Sequence, residues 1–254
     1  MRIEPVTPST PRPVRRPTLT QDLREVAFLH WPVAPERVAG LLPRGIRPDT
    51  LDGLTYVGLV SFLMRGAGLG RGPGLPYLGT FCQTNVRLYS VDERGRRGVV
   101  FRSLDAARLL PVLAGRLGAR LPYVWSSLRL RRHGDVVTYT CRRRPGARGT
   151  GSRVALRIGR PIAEPTPLER FLTARWGLHA SWYGRTVHLP MEHEPWPLHR
   201  ADVLELDDGL VPAAGLPPPT GPPVGVLHSP GVSVRFGTPA VLPVRSTCPG
   251  QGHP

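Results

Sequence analysis

The nine residues Phe81-Cys82-Gln83-Thr84-Asn85-Val86-Arg87-Leu88-Tyr89 carry the alternation of a β-strand. A strand sends Cys82, Val86 and Leu88 to one side and Gln83, Asn85, Arg87 and Tyr89 to the other. One face can pack; the opposite one is polar. A polar row costs nothing on a strand that faces solvent, but inside a closed barrel it is costly unless it lines a wet cavity. Asn85 is the single asparagine in a chain whose composition disfavours that residue. That favours the cavity, with Arg87 as a fork for a carboxylate.

Working outward, Tyr56–Met64 (YVGLVSFLM) is apolar on both faces, the pattern of a strand buried on both sides. The glycine-rich run Arg65–Gly74 fits neither phosphate-binding glycine motif and reads as a flexible loop. A turn at Asp92–Gly98 and a strand at Val99–Leu104 complete a hairpin with the central stretch. Ser126–Leu130 and Val136–Cys141 flank His133-Gly134-Asp135 as a second hairpin with a tight turn. Ser181–Leu189, Ala201–Leu206 and Val232–Phe236 read as later strands. Helices are few and short: Pro35–Leu42, Leu110–Leu117, and a run opened by the capping box Thr166-Pro167-Leu168-Glu169. Many strands with three short helices give a β-barrel or an α+β fold. One β-rich domain over residues 19–241 follows, between a mobile Arg/Pro-rich tail at 1–18 and a second tail at 242–254.

Composition limits the partners. All 34 basic residues are arginine and the net charge is +16. The skew toward Gly, Pro, Ala, Arg and Leu points to GC-rich coding, which weakens charge as a sign of nucleic acid or anionic membrane. Ten of those arginines lie between Arg129 and Arg160 with Asp135 as the only acid, a net +9. Such a hairpin could hold polyanions, yet Tyr139 is its sole aromatic residue, so stacking on bases is not provided for. A nucleic-acid partner is therefore disfavoured. Cys82, Cys141 and Cys248 are too far apart for a CxxC motif and odd in number. With no signal-peptide pattern and no run of membrane-spanning length, a reduced cytoplasmic setting is expected. Whether subunits pair is left open.

Several motifs, in order, resemble one family. The stretch HWPVAPERVAGLLPRGIRPDTLDGLTYVGLVSFLM (30–64), the FxxxNVRLY strand, FRSLDA (101–106), LPY (121–123), HEPWPL (193–198) and HSPG (228–231) look like the uncharacterised bacterial YqjF-like family. That family is similar in fold to acetoacetate decarboxylase, and the resemblance covers roughly residues 25–240. It implies an acetoacetate-decarboxylase-like antiparallel β-barrel or cone around a small cavity. In the decarboxylases a lysine forms a Schiff base and a glutamate on an earlier strand helps to organise the cavity. By motif order the lysine's place falls at Tyr123 and the glutamate's at Gln83. A chain without lysine cannot form a lysine Schiff base, so decarboxylation by that route is excluded.

Two further residues are candidates for proton transfer. Tyr123 is read either as a core aromatic or as a ligand-facing acid. Asp105 closes the FRSLDA strand before a helix, where the N-cap role is favoured over catalysis. The segment His188–His199 holds three histidines and two glutamates, but Pro190, Pro195 and Pro197 forbid the helical metal-site geometry, so no metal is expected. His193 is retained as a ligand contact, with His199 a weak facing partner. No GxSxG elbow exists, and His228-Ser229-Pro230-Gly231 reads as a turn. The expectation is thus a cavity for a small organic anion, walled by Gln83, Asn85, Arg87, Tyr89 and His193, with Tyr123 and Asp105 as tentative catalytic groups and no cofactor. An enzyme, if it is one, would be a lyase or isomerase moving a proton through Tyr123 or Asp105. A polyanion-binding module built on the arginine hairpin is the other alternative.

Overall fold

Strand-forming sequence dominates from Leu19 onward, and a computed structural model arranges it as one thirteen-stranded sheet. The structure describes residues 2–70, 72, 74, 79–109, 120–144 and 150–243. The expected helix at Leu110–Leu117 and the C-terminal tail beyond 243 lie outside these.

The elements in chain order are β1 (Leu19–Val33), α1 (Glu36–Ala39), β2 (Ile46–Pro48), β3 (Thr55–Leu69), β4 (Phe81–Asp92), β5 (Arg97–Ala106), β6 (Tyr123–His133), β7 (Val136–Arg143), β8 (Gly151–Pro161), α2 (Pro167–Thr173), β9 (Gly177–Trp182), β10 (Arg185–His193), β11 (His199–Asp208), α3 (Leu210–Ala213), β12 (Gly225–Phe236) and β13 (Ala240–Val241). Pairing is antiparallel except where β5 runs parallel to β6 and to β9. The fold is therefore a mixed-strand barrel, where sequence reading expected an antiparallel one.

Two additional pairings, β10 with β12 and β5 with β4, close the sheet on itself. One closed circuit runs β1-β3-β4-β5-β9-β10-β12; a second runs through β6, β7, β8 and β11 and shares β12, β1, β3, β4 and β5 with the first. The shared strands have an interior on both sides. This explains why Tyr56–Met64 is apolar throughout, and all but Leu63 of those residues are buried. Around the second circuit, Leu29, Leu59, Val86 and Leu88 pack with Val137, Val154 and Leu156 into a hydrocarbon core.

Local sequence explains most element ends. Thr166 accepts the Glu169 N–H at 3.2 Å while the Glu169 carboxylate accepts the Thr166 N–H at 2.7 Å, the reciprocal capping box that starts α2. Asp135 and Gly134 form the two-residue turn of the β6–β7 hairpin.

Four expectations are corrected. The run Ser181–Leu189 is a hairpin, not one strand, because Tyr183 and Gly184 both take positive φ and turn β9 into β10. Of the glycine-rich run, Arg65–Leu69 are strand and not loop, since they continue β3 against β1. The proline-rich N-terminal segment lies against the domain: the Glu4 N–H donates to Gly95 O, and the Val14 N–H to the Glu192 carboxylate at 2.7 Å. Finally, HSPG is a strand interior. Pro230 cannot donate to a ladder, and it stands opposite Glu25, between the pairs Arg24–Gly231 and Val26–Ser229, where β1 is bulged against β3.

At that bulge Gly231 has φ +126°, and a Cβ there would run into the carbonyl oxygen of Leu23. Only glycine fits without moving β1. Gly231→Ala is expected to destabilise the protein by about 2–4 kcal/mol, read as a lowered urea midpoint with an unchanged slope.

Candidate functional site

The alternation of β4 places Gln83, Asn85 and Arg87 on the wall of a cavity inside the seven-strand circuit. Its volume is about 140 Å³, close to that of a cavity of ~150 Å³ known to admit one benzene-sized guest. Phe28 from β1, Phe62 and Met64 from β3 and Leu104 from β5 supply much of the apolar lining. Tyr123 from the start of β6 and His193 from the end of β10 complete the expected polar set. Five of the seven sequence-derived candidates thus converge on one space.

The polar row is short of partners. Gln83 and Asn85 are only 3% and 4% exposed, yet Gln83 Oε1, Asn85 Oδ1 and Arg87 Nε are buried without a hydrogen bond among the described residues. Leaving such groups unmet costs about 1–3 kcal/mol each. Arg87 makes no ion pair among the described residues; its Nη2 donates to Tyr89 Oη at 3.1 Å and to Leu172 O at 3.0 Å. A cation thus faces the cavity without a fixed counter-charge.

Tyr89 stands behind the cavity rather than on its wall, which corrects its assignment as a ligand contact. Fully buried, it has its Oη 2.7 Å from His30 Nε2 and packs on Phe171 and Tyr56. His30 Nδ1 lies 3.1 Å from Gly225 O, an acceptor only, so Nδ1 carries the ring proton; the Tyr89 hydroxyl then has one proton for two acceptors, His30 Nε2 at 2.7 Å and Leu172 O at 2.8 Å. Arg87, Tyr89 and His30 therefore form one relay that fixes the guanidinium. Gly58 sits between His30 and Arg87 on the adjoining strands, and a Cβ there would press on both side chains at 3.1–3.2 Å. Sequence reading missed His30 and Gly58, because nothing local to either marks a cross-strand neighbour.

Asp105 is also removed from the site. Its neighbour Leu104 faces the cavity, so Asp105 faces away, and it is fully buried. Its carboxylate accepts from Ser103 Oγ, from Ser126 Oγ at 2.7 Å and from Arg143 Nε and Nη2 at 2.9 and 3.1 Å. The residue ties β5 to β6 and β7. It is neither an N-cap nor within reach of a cavity ligand, because the strand continues through it and its acceptor positions are filled.

A second charged assembly braces the wall. Asp49 is gripped by Arg97 at 2.5–2.6 Å and by Arg175, whose Nε also donates to Phe171 O at 2.8 Å. Arg175 is 1% exposed, lies over the Phe171 and Tyr89 rings at 4.2 and 4.6 Å, and lines the cavity with Thr173. In a chain so rich in arginine, no sequence signal sets Arg175 apart.

Burial controls the titrating groups. Desolvation pushes Tyr123 up to about 12, so its phenol stays protonated at neutral pH and acts as a donor, not a base. His193 is lowered to about 4, mainly by burial against Trp176 and Trp196, with its Nδ1 2.7 Å from Glu194 O. His199 belongs elsewhere, on β11 opposite His228. Among the described residues no three His, Cys, Asp or Glu side chains converge as metal ligands. No helix among them is long and apolar enough to cross a membrane.

Residues 20–233 match the model of the DUF2071 family, described as an uncharacterized conserved protein. The chain is a member of the DUF2071 family. It is 28% identical over 211 residues to the uncharacterized protein YqjF of Bacillus subtilis strain 168, covering 83% of this chain and 86% of that one. Among solved structures, this DUF2071 chain is similar to the enduracididine biosynthesis enzyme MppR complexed with pyruvate, at TM-score 0.61 and 15% identity over 90% of this chain and 91% of that one. It is likewise similar to acetoacetate decarboxylase from Legionella pneumophila, at TM-score 0.60 and 13% identity over 92% and 93% of the two chains. At such identities the likeness establishes the acetoacetate-decarboxylase-like fold.

The histidines also set an acid limit on stability. His30 and His188 are held near 3 and His193 near 4, all chiefly by burial. Each folded-state value lies below the unfolded 6.5, so the unfolded chain binds more protons at acid pH. Their full contribution is present above pH 6.5 and is lost as pH falls from there to about 4 for His193 and about 3 for His30 and His188. Three such groups give a slope of about 4 kcal/mol per pH unit at most. Urea melts between pH 7 and 4 are expected to show this loss, and His193→Gln to reduce the slope by about one proton.

Proposed function

We propose that this chain binds a small organic anion, with its carboxylate on Arg87 and its remainder against Asn85, Gln83 and Tyr123. The single observation that supports it is the conjunction on β4 of a cation and two buried amide oxygens that find no counter-charge and no donors among the described residues, all on one cavity wall. Water or a polar ligand must meet those atoms for the strand to be stable as folded. The volume of about 140 Å³ suits a molecule of roughly six non-hydrogen atoms. The similar fold of MppR, described in complex with pyruvate, accords with a ligand of that size and charge. An imine route through lysine is closed to this chain, because Tyr123 and every other position lack the amine.

A second reading, of a lyase or isomerase, is favoured by one feature. Tyr123 lines the same cavity as a protonated phenol and could donate to a developing oxyanion. Asp105 has no part in it.

The test is a thermal-shift and calorimetric panel of three- and four-carbon keto, hydroxy and dicarboxylic acids at neutral pH. At a hundred times the dissociation constant, a matching acid is expected to stabilise the fold by about 2.7 kcal/mol. Arg87→Ala is expected to abolish the shift and Tyr123→Phe to preserve it. Turnover that disappears in Tyr123→Phe while binding persists would select the second reading. If no small anion moves the melting temperature, the binding proposal fails.

A further inference from the structure

The outward face of β6, β7, β8 and β11 lies on the far side of the hydrocarbon core from the cavity. Strand register arranges it in three rows. Arg129, Thr140, Arg153 and Asp207 form one; Arg131, Thr138, Ala155 and Glu205 the next; His133, Val136, Arg157 and Asp202 the third. Every row starts with a basic side chain or histidine on β6 and ends with a carboxylate on β11. Apart from Ala155, which is buried beneath its neighbours, the residues of β6, β8 and β11 in these rows are exposed.

Charge within the face is only partly neutralised. Arg153 pairs with Glu205 at 2.7 Å, and Arg157 lies 3.8 Å from Asp135. Arg129 and Arg131 at one margin, and Asp202 and Asp207 at the other, make no ion pair among the described residues. The two margins lie three strand spacings apart, about 14 Å, too far for direct contact across the face. A surface with opposite unpaired charges at its two margins is complementary to a copy of itself.

We propose that this face joins two copies of the chain about a twofold axis parallel to its strands and passing between β7 and β8. That operation exchanges left and right across the face and preserves position along the strands. It lays β6 of each copy over β11 of the other, so that Arg129 meets Asp207 and His133 meets Asp202, twice over, while Arg131 comes to the Glu205 carboxylate that Arg153 already holds. Thr138 over Ala155 occupies the middle row, and to either side of it the same operation lays Thr140 over Arg153 and Val136 over Arg157. A few tens of degrees of twist between packed sheets shifts these pairs along their strips without separating the signs. The net charge of +16 opposes association at long range, but salt screens beyond about 8 Å, so contact pairs decide. An interface so small and polar belongs to the weak, reversible class.

Sedimentation velocity over a concentration series, at low and high NaCl, tests this without reference to any ligand. Wild-type protein is expected to self-associate reversibly, less so at high salt. Arg129→Glu with Arg131→Glu sets β6 against the partner's acids, and Asp202→Arg with Asp207→Arg sets β11 against the partner's bases. Each double variant is expected to weaken the dimer by ~10-fold or more. Mixed in equal amounts the two variants are complementary again, and dimerisation returns. All substitutions are at exposed positions, and an unchanged melting temperature verifies folding. A wild type that stays monomeric throughout, variants that dimerise like wild type, or a mixture that stays monomeric overturns the proposal. So does a monomer that binds random oligonucleotide with a steep salt dependence removed by the β6 variant, which would reassign the face to nucleic acid.

Discussion

The constraint on which the rest of the structure depends is that β4 has an interior on both of its sides. Val86 and Leu88 are held in a dry hydrocarbon core, while Gln83, Asn85 and Arg87 on the same strand face a cavity. A slip of one residue in register would exchange the two faces, burying an arginine and two amides in hydrocarbon. The pairings of β4 with β3 and β5, which hold it in place along most of its length, therefore also fix the polarity of the cavity wall.

Charge is distributed around this wall in a way that separates support from function. Asp105 with Arg143, and Asp49 with Arg97 and Arg175, are buried pairs whose acceptors are filled by neighbours. Removing one partner from such a pair typically costs 3–5 kcal/mol, because it strands the other charge. Arg87 differs from those arginines in having neutral oxygens for company. It is held in position by Tyr89 and, through it, by His30, so its guanidinium is fixed in place before any anion arrives. The two aromatic residues first read as ligand contacts or catalysts divide the same way: Tyr123 reaches the cavity, Tyr89 braces its wall.

What could be read from the chain alone was whatever is local or periodic. Strand alternation in 81–89, the capping box at Thr166 and the two-residue turn at Gly134-Asp135 are all properties of neighbours in sequence, and the structure contains each. Tyr183-Gly184 was missed because a hairpin turn with tyrosine at positive φ lacks the usual glycine or asparagine at that position. Pro230 and Gly231 look like a turn in isolation, and only the ladder with β1 shows that they stand inside a strand. Asp105 was ambiguous for the same reason, since its partner Arg143 is thirty-eight residues away and on another strand. Arg175 and His30 were invisible because neither belongs to a motif, and their importance is set entirely by what the barrel brings beside them. Three facing rows of charge across β6–β11 likewise emerge only once register is known.

A crystal structure determined before and after soaking with a three-carbon carboxylate tests the central claim most directly. Ordered water on Gln83 and Asn85 in the unsoaked crystal, replaced after soaking by carboxylate density on the Arg87 guanidinium inside the seven-strand circuit, is the expected result. A circuit filled by its own side chains, or the 83–87 row turned toward bulk solvent, would contradict it.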